Sequence, residues 1–171
     1  VRFGDYEILS RDEIEGGGFD ALARDADGRE VRLWVGAPDS GDVGEAEVAA
    51  VRGVLARVHQ ASIPRVLGSE VTEGRAVLLV RAYRGERLDR RLERGPLPPT
   101  EALDVCRGIA AGLVKAHRTG IVHGAVGPAE ILLAEDGRTL LLHAGLGPFL
   151  GPRRPRAPED LGAEAPSESG D

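Results

Sequence analysis

The chain has 171 residues, enough to bury a core as one domain or two small lobes. Its net charge of −6 argues against nucleic acid or an anionic membrane as the main partner. One cysteine, Cys106, excludes an internal disulfide framework and fits a reducing, cytoplasmic setting.

No apolar run approaches the roughly 18 residues of a membrane helix, so no membrane contact is expected from this segment, and no signal peptide is visible. The chain contains no Met and no Asn, and its single lysine is Lys115. The missing Met is read as a chain that begins inside a longer reading frame or has lost its start.

Tyr6 to Arg11 reads as a strand, and Glu15-Gly16-Gly17-Gly18-Phe19-Asp20 as a glycine turn. Ala21 to Asp25 and Glu30 to Val35 read as two strands joined at Asp27-Gly28, a strong hairpin signal. Pro38 to Gly44 is polar and reads as a linker. From Glu45 to Val58, the residues Val48, Val51, Leu55 and Val58 recur at spacings of three and four, which predicts an amphipathic helix. Val66 to Thr72 and Ala76 to Ala82 read as strands around Glu73-Gly74.

Pro96 to Pro99 interrupts the chain, and Thr100 is placed to cap the following helix, with Glu101 and Asp104 near its positive end. Leu103, Cys106, Ile109, Ala110, Leu113 and His117 are assigned to one apolar face, which makes Cys106 a core residue; Gly120 ends the helix. Two short strands, Glu130 to Leu133 and Thr139 to Leu142, flank Asp136-Gly137. From Gly151 the chain is rich in Pro, Arg, Glu and Ser and reads as loop.

His123, Pro128 and Ile131-Leu132-Leu133 stand in frame with H-R-D-L-K-P-x-N-I-L-L. With the strand–glycine turn–strand–strand opening, this order resembles a protein kinase of the bacterial Ser/Thr type. The resemblance implies an α+β, two-lobe fold: a β-rich small lobe with its C-helix over residues 1–82, and the first half of a mainly helical large lobe over 83–171. Arg84-Gly85-Glu86-Arg87-Leu88 then corresponds to the hinge and the short helix after it, and Arg156-Ala157-Pro158-Glu159 to the end of the activation segment. Ser167 to Asp171 corresponds to the run into the next helix.

The chemistry of that family is absent at the matching positions. The catalytic Asp falls on Ala125, the phosphate-contacting Lys on Gly127 and the metal-binding Asn on Glu130. The strand lysine that holds phosphates is Trp34, its C-helix carboxylate is Val51, and Glu47 lies one turn earlier with no lysine to meet. The magnesium motif D-F-G reads His143-Ala144-Gly145, which puts imidazole where a hard oxygen ligand belongs. No Asp lies between Asp104 and Asp136, and no Asp or Glu between Asp136 and Glu159, so no shifted residue supplies the base or the metal ligand. Residues 146 to 156 form a short activation segment without Ser, Thr or Tyr.

The positions matching the nucleotide cleft are Gly16, Gly17, Gly18, Arg32, Val80 and Leu132. Arg32 replaces a small residue over the adenine and either fills the slot or reaches outward to water. His123 is assigned to packing and backbone hydrogen bonding. A zinc site from His117, His123, His143 and Glu130 lacks cysteine partners and fixed spacing, so no metal and no cofactor are expected.

The resulting expectation is a chain that is not an enzyme, a pseudokinase serving as a scaffold or allosteric signalling module. Its partners are expected to be proteins, with self-association through an open large-lobe face. A nucleotide-binding switch and an unusual transferase are the competing readings.

Overall fold

Two turn sequences set the register of the first sheet. Gly28 and the pair Glu73-Gly74 adopt positive φ, the conformation that matches tight hairpin turns to strand twist. The computed structural model describes residues 1–38, 44–57, 62–124 and 126–150. Within them, β1 (Arg2–Phe3), β2 (Tyr6–Ile14), β3 (Gly18–Arg24), β4 (Glu30–Val35), β5 (Val66–Thr72) and β6 (Arg75–Val80) form an antiparallel sheet of order β1-β2-β3-β4-β6-β5. Helix α1 (Glu45–Leu55) lies between β4 and β5 in the chain and packs on β5 and β6.

The alternation of strand side chains divides this sheet into two faces. One carries Ala21, Ala23, Val31, Leu33 and Val35, which pack with Phe3, Tyr6, Phe19 and Val77. The other carries Trp34, Leu78 and Val80, which pack with Val48 and Leu55 of α1 and with the second half of the chain. Asp20 and Arg32 belong to this second face: Asp20 is register partner to Trp34, and Arg32 lies two residues along the same strand.

The second half begins with β7 (Gly85–Arg87) and α2 (Leu88–Leu92), followed by α3 (Pro99–Arg118). Then β8 (Ile131–Ala134) and β9 (Thr139–Leu141) complete a three-stranded antiparallel sheet of order β7-β8-β9. Short 3₁₀ turns stand at Pro128–Glu130 and Gly147–Phe149. Leu88, Val105, Ile109, Ile131 and Leu141 form the local core.

Several element boundaries differ from those expected. The strand from Tyr6 runs on to Ile14, the next begins at Gly18, and β6 starts at Arg75 and stops at Val80. Glu130 is in a 3₁₀ turn rather than a strand, which fixes its carboxylate before β8 begins. Thr100 is not the cap of α3: Pro98 occupies that position and makes no side-chain bond, while Pro99 opens the helix, where a missing N–H costs nothing.

Cys106 is exposed rather than part of the core. The buried stripe of α3 is Val105, Ile109, Gly112 and Ala116, and Leu103 is 55% exposed. The apolar residues of α3 span more than half its circumference, so periodicity alone did not place the seam. Gly112 settles it: a Cβ there would approach Ser62 at 3.3 Å, so the helix lies against that segment along its smallest residues. Gly120, at φ +81, ends the helix as expected.

The middle of the Pro38–Gly44 linker, Val58, Ala125 and the motifs assigned beyond Gly151 lie outside the described residues.

Candidate functional site

The site lies between the two sheets and is built around a charge that sequence reasoning missed. Asp20, on β3, is 3% exposed. It accepts a hydrogen bond from Arg32 Nε at 2.6 Å and another from His143 Nε2 at 2.9 Å. The other ring nitrogen of His143, Nδ1, bonds to Glu130 Oε2. A carboxylate only accepts, so both ring nitrogens act as donors and the ring is an imidazolium. The network therefore alternates in sign, Arg32⁺–Asp20⁻–His143⁺–Glu130⁻, and it joins β3 and β4 of one sheet to the turns flanking β8 and β9 of the other.

Burial alone would push the Asp20 carboxyl up, but the hydrogen bond from His143 and the Arg32 charge outweigh it and hold it below its ordinary value of 3.8. Burial likewise pulls His143 down. The hydrogen bonds and charges of Asp20 and Glu130 reverse this and hold it above 6.5.

The residue expected to replace the phosphate-binding lysine, Trp34, is fully buried. Its ring packs edge-on against His143 at 5.3 Å between centroids. Its indole Nε1–H has no hydrogen-bond partner among the described residues. Val51 packs against the same core cluster, and its Cγ1 would lie 3.2 Å from a Cβ at Gly145. Glu47, one turn earlier on α1, is exposed.

Arg32 is inward, with its side chain 16% exposed, so the outward alternative does not hold. A buried carboxylate within reach outweighs hydration of the guanidinium tip. The slot lined by Arg32, Trp34, Val80, Tyr83, Leu132 and Leu142 leaves no space for a water molecule.

The glycine turn is closed as well. Gly16 and Gly17 take positive φ, while Gly18 starts β3. A Cβ on Gly18 would lie 2.4 Å from Leu150 Cδ2, and one on Gly36 would lie 2.6 Å from the Phe149 carbonyl oxygen. Ala37 N–H donates to that same oxygen at 2.7 Å. The segment after Gly145 thus folds back onto the ends of β3 and β4, where Phe149 and Leu150 join the core cluster of Ile14 and Trp34.

His123 is buried and donates from Nε2 to the Leu142 carbonyl at 2.6 Å. His117 is exposed on α3, and among the described residues no three of the residues weighed as a zinc set come together; Glu130 and His143 meet. Gly127 stands at the start of the Pro128–Glu130 turn.

Asp20 was legible in principle. The Asp27-Gly28 turn fixes the pairing of residues 20 and 34, and an acid opposite Trp34 and diagonal to Arg32 is a buried-pair signal.

This architecture is the protein-kinase-like fold. A crystal structure of the PknI kinase domain of Mycobacterium tuberculosis superposes with a TM-score of 0.70 at 24% identity, covering 85% of this chain and 61% of that one. In sequence, PknL of Mycobacterium tuberculosis, named a serine/threonine-protein kinase, is 46% identical over 55 residues, 32% of this chain and 14% of PknL. PkwA of Thermomonospora curvata, whose name is "Probable serine/threonine-protein kinase PkwA", is 31% identical over 139 residues, 80% of this chain and 19% of PkwA. No protein-family model matches the chain. The chain is thus related to bacterial serine/threonine protein kinases and spans less than a fifth of the length of these two relatives.

These relatives correct one expectation. They are named as kinases, which points to an enzyme, and the reading of the chain as a non-enzyme is overturned by that finding. No helix among the described residues is long and apolar enough to cross a membrane.

The nucleotide and magnesium that this fold implies do not fit the residues in the arrangement described. The slot at the positions matched to adenine leaves no space for water, the single lysine, Lys115, lies on α3, and His143, matched to the magnesium position, is paired with two carboxylates.

Proposed function

We propose that this domain acts by contact, as a protein-binding regulatory or scaffold module in serine/threonine-kinase signalling in the cytoplasm. In this reading residues 1–82 and 83–171 are its two lobes. The observation that carries it is the filled cleft: Arg32 and Trp34 line a slot with no space for water, and Asp20 and His143 join the two sheets beside it. A cleft closed by its own side chains suits a domain that works through its surface.

The contact surface we propose is the outer stripe of α3, where Leu103, Cys106, Ala110 and Val114 are exposed at spacings of three and four. A second copy of the chain is the expected occupant. Sedimentation across a concentration series is expected to show a dimer that Val114→Glu dissociates. A monomer at all concentrations removes this surface from the proposal.

The cleft is tested by thermal melting with millimolar Mg-ATP. A native-state binder must raise the melting temperature by mass action, and no rise is expected here. The names of the relatives favour a second reading, a nucleotide-binding switch or an unusual transferase in which the cleft opens first. An upward shift, or labelled γ-phosphate transferred by the protein above a heat-killed control, decides for that reading.

A further inference from the structure

We infer that Asp20, Arg32, Glu130 and His143 form a conformational latch, and that the segment from His143 to Leu150 is the element it holds in its docked position. Three independent features converge on this segment. First, the four charges are joined end to end, with Asp20, Glu130 and His143 buried and Arg32 part-buried, and Asp20 bonds to both cations. Second, His143 has φ +58, the left-handed region that a non-glycine residue occupies at a cost. The hydrogen bonds from its ring to Asp20 and Glu130 hold it there. Third, beyond His143 the segment touches the first sheet through small residues and backbone. Phe149 O accepts from Ala37 N–H, and Leu150 and Phe149 lie over Gly18 and Gly36.

Such a segment has two discrete arrangements. Docked, its Phe149 and Leu150 fill the space beneath the glycine turn, while the strained His143 is held by two carboxylates. Released, His143 relaxes its backbone, and both the space beneath the turn and the edge of β4 at Gly36 and Ala37 are uncovered. Loss of the Asp20 charge removes one of the two anchors of His143 and the carboxylate that Arg32 bonds, so it biases the equilibrium toward release. The latch shares Asp20, Arg32 and His143 with the contact reading but is tested apart from it: Mg-ATP melting and sedimentation decide that reading, and hydrogen exchange decides the latch.

Native-state hydrogen exchange resolves this directly. In Asp20→Asn, amide exchange at Ala37, Leu146, Phe149 and Leu150 is expected to accelerate about tenfold or more beyond whatever acceleration the overall loss of stability gives the amides at the centre of β6, Val77 to Leu79. Glu130→Gln is expected to act on the same amides. Val31→Ala, a truncation in the core on the far face of the sheet, serves as a control of comparable stability loss, and it should leave the segment's exchange unaccelerated. Should Asp20→Asn accelerate all amides alike, or leave Ala37 and Leu146 to Leu150 unchanged, the latch is refuted. If neither latch variant folds, the wild-type protein in a low-denaturant series decides: Ala37 and Leu146 to Leu150 exchange as one unit below the global opening free energy, or there is no separate element.

Discussion

Replacing Asp20 with Ala removes the acceptor of two cations at once, one buried and one part-buried. Arg32 loses its 2.6 Å partner, and His143 loses the 2.9 Å partner of Nε2 while retaining Glu130. Breaking a buried pair by deleting one member costs about 3–5 kcal/mol, because a charge is left unpaired. The Arg32 side chain is 16% exposed and can swing partly to water, whereas His143 is 4% exposed and cannot. The outlet for Arg32 brings the figure to the lower end, about 3 kcal/mol. For a chain of this size that corresponds to a fall in melting temperature of about 6–12 °C. Thermal and urea unfolding followed by circular dichroism at pH 6, with an unchanged urea slope, is the measurement. A loss below about 0.5 kcal/mol, the range of ordinary surface substitutions, would refute the claim that Asp20 organises the seam. Replacing all four members by Leu or Val adds a second arm. Buried ion pairs exchanged whole for well-packed apolar groups are often neutral or stabilising, so this variant should exceed Asp20→Ala in stability.

The pH dependence follows from the same charges. His143 is raised above 6.5, so its contribution is complete below that value and is lost as pH rises through its folded pKa; Asp20 is lowered below 3.8, so its contribution is complete above 3.8 and is lost as pH falls through its folded value. The groups facing His143 are Asp20 from β3, Glu130 and the Trp34 ring, with Arg32 behind Asp20. Stability measured from pH 5 upward should therefore decline as His143 deprotonates, and His143→Gln should flatten that limb. Gly36→Ala forces a methyl to 2.6 Å from the Phe149 carbonyl oxygen and 2.9 Å from its Cβ. An overpacking loss of about 1–3 kcal/mol is expected by urea unfolding, and full wild-type stability would show that the docked segment yields freely. Tyr6 donates to Glu70 at 3.2 Å, and burial, followed by the Glu70 charge, raises its pKa to about 12. Its phenolate absorbance should appear only near that pH, and Tyr6→Phe should cost about 0.5–1.5 kcal/mol; titration of Tyr6 near 10 would remove the Glu70 contact.

What the sequence determined by itself is the local structure and the order of its elements. The Asp27-Gly28 and Glu73-Gly74 turns, the three-and-four spacing of Val48, Val51 and Leu55, and the stop at Gly120 all act within a few residues, where turn chemistry and periodicity are decisive. The absence of a lysine before Lys115 is equally plain without any structure. Which way Arg32 points and which stripe of α3 is buried were decided only in the tertiary structure. Arg32 turns inward because Asp20 waits there, and Asp20 keeps its charge because His143, 123 residues further along the chain, closes the network. Cys106 lies outside because Gly108 and Gly112 let α3 settle against Thr139 and Ser62 along a different line. Each outcome depends on a partner remote in sequence, and the energy of a buried charge is fixed by its neighbours rather than by its own identity.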